Sequence, residues 1–103
     1  MKPIKEMSNE ELTIATAEEV MEWPRDQWDW DVENWQPIIR PDHWMMVVER
    51  MVESRWKCAV YISAYNPLQK VKFSHPERWF NRVAEHADIG RAVCEAALEA
   101  IRG

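Results

Sequence analysis

Apolar residues recur at helical spacing in three segments of the chain. The first follows Ser8 and Glu11, which form a capping-box pattern and predict a helix over 9–22. The second begins at Pro41, after which the apolar residues form a single stripe. The third begins after Asp88, a good N-cap, and keeps the helical period to the end of the chain. The pattern therefore predicts helices near the start, in the middle and at the end.

Between the second and third helices, polar and apolar residues alternate as they do in strands. Residues 56–64 and 70–74 are rich in β-branched and aromatic residues and flank Asn66-Pro67, so they predict a hairpin. Residues 78–85 also alternate, which is compatible with a third strand or with a short helix. Residues 27–35 predict an irregular strand or hairpin of their own.

These elements define the expected fold class. Neighbouring strands are joined by short turns, so the sheet should be mainly antiparallel, and the amphipathic helices need an apolar surface to cover. With 103 residues there is room for one core. We therefore predict a single α+β domain over 1–103, with an antiparallel sheet packed between α-helices as an α-β-α sandwich.

Charge is distributed unevenly along the chain. Thirteen basic and eighteen acidic residues give a net charge of −5, which argues against binding to long nucleic acids or to anionic lipid surfaces. The acids concentrate in residues 1–50, whereas residues 51–103 are slightly basic. This pattern has two interpretations. The acidic residues form a solvated face, or the acidic half of the chain faces one partner and the basic half faces another ligand.

Sequence motifs for catalysis and metal binding are absent. With two glycines the chain has no phosphate-cradling loop, and its three histidines lack the spacing of metal ligands. Cys58 and Cys94 lie in apolar patterns typical of buried thiols. No apolar stretch indicates export or membrane insertion, so a cytoplasmic location is expected. We predict no catalytic residue, no metal and no cofactor, and hence no enzyme.

Seven tryptophans are the strongest anomaly in the composition. Trp44 and Trp56 lie on apolar faces and are predicted core residues, as is Trp23 at the end of the first helix. Three more lie in a polar, acidic segment, where they cover the core or form an exposed contact surface: Trp28, Trp30 and Trp35.

Basic residues on the predicted strands are the candidate ligand-binding groups. If the strands pair, they form one cationic patch on a sheet face or edge, consisting of Lys70, Lys72, Arg78 and Arg82. Tyr65, Tyr61 or Trp35 would add an aromatic plane, and the two features together suit a phosphate and a base. The alternative is that these charges only protect edge strands from aggregation.

Three stretches carry a family resemblance: residues 15–23, 42–51 and 87–98. They resemble the blocks "VAEKVMGW", "WEVVEKM" and "AICRAAL" of small bacteriophage proteins with an α-β-α sandwich domain, in the same order. Glu22 departs from the family, which has a glycine before the tryptophan at position 23. The resemblance implies this fold and a phage origin, and it carries over no catalytic residue.

Two functions follow as hypotheses. In the first, a phage protein binds and sequesters a small ligand, as an anti-defence protein that captures a nucleotide immune signal in the cytoplasm of the infected cell. A homo-oligomer is expected there, because a small domain encloses a ligand most easily between subunits. In the second, the acidic, tryptophan-rich segment 26–35 inhibits a host defence protein by docking on a basic surface.

Overall fold

The structure, a computed structural model, describes residues 2–23, 34–62, 65, 67–77 and 81–103. Within these ranges the chain forms three α-helices and a three-stranded sheet. The strand or hairpin predicted over 27–35 falls almost wholly outside the described residues, as do Trp28 and Trp30.

The first helix begins as the sequence predicts. After a 3₁₀ turn at Ile4–Glu6, helix α1 covers Asn9–Ala15 and continues as a π-helical turn over Thr16–Val20. The capping box is complete: the Ser8 hydroxyl accepts the Glu11 N–H, and the Glu11 carboxylate accepts the Ser8 N–H, each at 3.1 Å. The predicted helix is therefore confirmed, with a change of helical pitch in its second half.

The other two predicted helices are also confirmed. Helix α2 covers Pro41–Glu53, with proline at a first-turn position that needs no N–H donor, and buries Val47 and Met51. It ends near Arg55, whose φ of 73° lies in the left-handed region. Helix α3 covers Ile89–Arg102 after the N-cap Asp88.

The sheet is antiparallel throughout. Its strands are β1 (Lys57–Tyr61), β2 (Gln69–Ser74) and β3 (Asn81–His86), in the order β1-β2-β3. The hairpin of β1 and β2 and the third strand are thereby confirmed, and the alternative of a short helix over 78–85 is excluded for its described part.

Helix α3 is the central element of the packing. It lies on β2 and β3, while α2, α1 and the π-helical turn pack around it, so that it separates the sheet from the N-terminal helix. Ten of its residues are buried, and its alanines allow close approach on several sides. Val71 and Phe73 of β2 are fully buried beneath it. The predicted α+β class, with helices packed on an antiparallel sheet in one domain, is confirmed.

A buried ion pair fastens α3 to the N-terminal segment. Arg91 donates to the Glu95 carboxylate at 2.7 Å, and both side chains are more than nine-tenths buried. The same guanidinium donates to Asn9 Oδ1 at 2.6 Å and to the Met7 carbonyl at 2.7 Å. Since its charge and its donors are matched inside the protein, Arg91 acts as a structural clamp.

The segment before α2 is seated directly on the start of α3. A Cβ on Gly90 would lie 2.3 Å from the Ile38 carbonyl oxygen, so this close approach requires glycine. The Gln36 N–H donates to Nδ1 of His43 at 2.8 Å, and the Gln36 carbonyl accepts the N–H groups of Ile39 and Arg40. The 34–40 segment is therefore held by the contact of Ile38 with Gly90 and by the backbone hydrogen bonds of Gln36.

Candidate ligand-binding site

Strand β2 places two of the predicted site residues on one face of the sheet. Val71 and Phe73 point into the core, so the alternation along the strand directs Lys70 and Lys72 to the opposite, solvent-facing side. Lys70 is exposed and Lys72 is half-buried. These two lysines therefore form the centre of the predicted cationic patch.

The neighbouring strands complete this face. Tyr61 and Glu85 lie opposite Lys70, while Ala59 and Val83 lie opposite Lys72. Lys57 lies two residues before Ala59 and is therefore a diagonal neighbour of Lys72, at about 7–8 Å. We call the four residues that carry its chemistry the lysine face: Lys57, Tyr61, Lys70 and Lys72.

Arg82 does not belong to this face. It pairs with Phe73 and therefore lies on the helix-packed side of the sheet, where it is half-buried. This corrects the expectation that Arg82 shares a face with Lys70 and Lys72. The cause is the two-residue period of a strand, which places one cross-strand row on one side and the next row on the other.

The remaining predicted site residues are Arg78, Tyr65 and Trp35. Arg78 lies outside the described residues. Tyr65 is 98% exposed in the turn between β1 and β2, whereas Trp35 is only 4% exposed. The Trp35 ring packs edge-on against Trp23 at 5.0 Å, so it covers the core and offers no stacking surface. Tyr61, on the lysine face and 52% exposed, is the aromatic ring best placed beside the lysines.

The charges of the lysine face are only partly neutralised. Lys70 forms an ion pair with Glu85 at 3.3 Å. Lys57 and Lys72 form no ion pair with any acid in the part of the chain that the structure describes. Two ammonium groups therefore remain available to an anion on a chain whose net charge is −5.

The sequence contained a signal for Lys57, the residue of the lysine face that was not among the predicted candidates. Lys57 and Tyr61 occupy the polar positions of the alternation that predicts β1, in phase with Lys70 and Lys72 once the strands are paired. The strand pairing was needed to bring them together, because alternation alone does not fix cross-strand register.

The cysteines do not form a reactive site. Burial raises the pKa of the Cys94 thiol to about 12, and Cys94 is confirmed as a core residue. Cys58 lies on the edge strand β1 and is only half-buried, which corrects the expectation of a fully buried thiol, although desolvation still raises its pKa. A thiol that resists ionisation is a poor nucleophile.

The described residues include no cluster of three or more potential metal ligands from His, Cys, Asp and Glu. None of the helices described is long and apolar enough to cross a membrane. The acidic segment proposed as a docking surface, residues 26–35, lies outside the described residues except for Asn34 and Trp35.

No family model, curated protein or solved structure matches this chain. The site must therefore be interpreted from its own geometry and chemistry.

Proposed function

We propose that this chain is a non-enzymatic phage protein that binds and sequesters a nucleotide-type ligand, as an anti-defence protein that removes a nucleotide immune signal. The observation that supports the proposal is the lysine face, where two ammonium groups with no acid partner among the described residues lie on adjacent strands with an exposed tyrosine. Sequestration requires only binding, and no nucleophile or acid–base pair is assigned a role.

The chemistry of the lysine face suits a phosphorylated ligand with an aromatic base. Lys57 and Lys72 would attract phosphate oxygens, and Lys70 would join them by exchanging its ion pair with Glu85. Tyr61 lies directly opposite Lys70, at about 5 Å between Cβ atoms, and offers a ring for base stacking.

An open sheet face leaves one side of a bound ligand in water. A second copy of the chain that closes over this face would enclose the ligand, and for that reason we propose a homo-oligomer. The resemblance of the three helical blocks to phage α-β-α sandwich proteins supports a phage origin and a role in the cytoplasm of the infected bacterium. The net charge of −5 favours a small anion over a long nucleic acid.

A thermal-shift panel of linear and cyclic nucleotides tests the proposal. At least one nucleotide should raise the Tm by several degrees at micromolar concentration, because a ligand that binds the folded state stabilises it. The triple variant Lys57→Ala/Lys70→Ala/Lys72→Ala should lose this shift, and Lys5→Ala, which removes an exposed lysine outside the sheet, should retain it.

A second variant separates the two halves of the site. Tyr61→Ala should weaken binding of the identified nucleotide by about tenfold, which corresponds to the loss of one stacking contact. Binding of the matching sugar phosphate, which has no base, should not change. The proposal is wrong if no nucleotide shifts the Tm, or if the triple variant responds as the wild type does.

A further inference from the structure

A second surface, on the helix side of the sheet, exposes apolar side chains that the lysine face does not include. Two cavities of about 360 and 430 Å³ adjoin here, and both are lined by Ile38 and Ile39. The first continues along α1 to Thr13, and the second continues across Trp44 to Ile62. We call this surface the isoleucine groove, and define it by Ile38, Ile39, Trp44, Ile62 and Ile89.

The apolar groups of the groove are unusually accessible. Ile39 is 68% exposed and Ile62 is 70% exposed, and both line the larger cavity. Scattered exposed isoleucines are common on protein surfaces, but Ile39 and Ile62 line the same cavity and together form an exposed apolar patch on its walls. Such a patch is typical of a site that becomes covered by another molecule.

The groove is preformed. Ile39 extends from a turn in which the Gln36 carbonyl accepts two backbone N–H groups, at 3.2 and 2.9 Å. The base of that turn rests on Gly90 without room for a Cβ. Because these contacts already hold the turn, little conformational entropy remains to be lost when an occupant binds.

The charge of the groove indicates what kind of occupant it accepts. Glu10 lines the smaller cavity and Asp88 lines the larger one, and neither is paired with a lysine or arginine of the described residues. No lysine or arginine among the described residues lines either cavity. Arg40, which is close in sequence, is neutralised by Asp42 at 3.0 Å. The groove therefore combines apolar side chains with two acids and has no basic residue among its described lining residues.

We propose that the isoleucine groove docks a segment of a partner protein that carries apolar side chains with lysine or arginine next to them. The apolar side chains would cover Ile39 and Ile62, and the cations would lie near Glu10 and Asp88. This surface is separate from the lysine face, so each can be tested without the other.

A titration followed by NMR tests the groove, with the isoleucine δ1 methyl groups labelled with ¹³C. The probe is a synthetic amphipathic peptide of leucine and lysine, and its counterpart replaces every lysine with glutamate. With the lysine peptide, the methyl signals of Ile39 and Ile62 should shift and saturate. The signal of Ile101, which is exposed at the far end of α3, should not move.

Matched variants locate the contact and its charge. Ile39→Asn should weaken binding of the lysine peptide at least about tenfold, since it loses apolar contact area without adding a charge, and Ile101→Asn should not. Glu10→Gln with Asp88→Asn should weaken it about fivefold. Glu49→Gln with Glu53→Gln, which removes the same charge from α2, should leave it unchanged.

Three outcomes would overturn the proposal. The first is that the groove methyl signals stay fixed when the lysine peptide is added, and the second is that the glutamate peptide binds as tightly as the lysine peptide. The third is that the groove signals shift when the protein alone is concentrated, which would assign the groove to a second copy of this chain.

Discussion

Helix α3 and the exposed face of β2 lie within one domain, yet they differ in how their charged side chains are used. Ten residues of α3 are buried, and its one buried cation, Arg91, is fully occupied by Glu95, Asn9 and backbone carbonyls. On β2, Lys72 lies on the solvent side and has no acid partner among the described residues. A matched buried charge maintains the fold, whereas an unmatched surface charge is available for a ligand.

Removing the clamp should have the largest effect on stability. Arg91→Ala leaves the Glu95 carboxylate buried and unpaired, so we expect the free energy of unfolding to fall by about 3–5 kcal/mol. Chemical denaturation followed by circular dichroism measures this loss. Arg40→Ala, which breaks the exposed pair with Asp42, is the matched control and should cost less than about 1 kcal/mol. Equal effects for the two variants would contradict a special role for Arg91.

Filling the contact at Gly90 tests how the packed helix and the groove are coupled. Gly90→Ala places a Cβ against the Ile38 backbone, so we expect a loss of about 3 kcal/mol and a displaced 34–40 segment. The NMR signal of the Ile39 methyl group should shift, and the midpoint of chemical denaturation should move to a lower denaturant concentration. Gly103→Ala has nothing within 4 Å and meets only the strain of a φ of 79°, so it should cost no more than about 1–2 kcal/mol. A stable Gly90→Ala protein with an unmoved Ile39 signal would refute the coupling.

Alkaline pH should weaken the packed region through Cys94. Its folded pKa of about 12 lies above the value in the unfolded chain, so folding favours the neutral thiol. This contribution is complete below about pH 8.5 and is lost as the pH rises towards 12. Between pH 8 and pH 10.5 we expect Cys94 to account for about 2–3 kcal/mol of the lost stability.

Comparison with Cys94→Ala isolates this contribution from the other groups that titrate at high pH. The variant should show a smaller decrease between the two pH values, and Cys58→Ala, which removes a half-buried thiol, should resemble the wild type more closely. Parallel pH profiles for wild type and Cys94→Ala would show that Cys94 does not contribute.

The smallest effect on stability is expected on the lysine face. Lys72→Ala removes no ion pair with a described residue, so the free energy of unfolding should change by no more than about 0.5 kcal/mol. Urea denaturation measures it, with Phe73→Ala, on the buried side of the same strand, expected to lose about 3–5 kcal/mol. A large loss for Lys72→Ala would assign this residue to the fold and weaken its role in binding.

The same contrast explains how far the sequence could predict the molecule. The helices and the three strands were predictable because burial imposes a period of 3.6 or 2 on apolar residues, as in α3 and β2. The placement of Lys57 diagonally beside Lys72 depends on the strand register, and so does the exclusion of Arg82 from the lysine face. Local pattern does not encode these relations.

The isoleucine groove was not predictable from sequence for a related reason. Ile39 and Ile62 belong to segments 23 residues apart, and the cavity between them exists because the 34–40 segment rests on Gly90. For Trp35 the sequence left two positions open, because its acidic surroundings are compatible with an exposed contact surface as well as with a place over the core. Its ring packs against Trp23 and is buried. Tertiary contacts determine both outcomes.

Native mass spectrometry tests the central claim, ligand sequestration on the lysine face, most directly. The protein would be purified from bacteria that carry a nucleotide-signalling defence system, beside its Lys57→Ala/Lys70→Ala/Lys72→Ala variant. We predict that the wild type forms an oligomer that retains an added mass of nucleotide size, and that the variant loses this mass. A wild-type protein with no added mass in such cells, or a variant that retains the same ligand, would contradict the account.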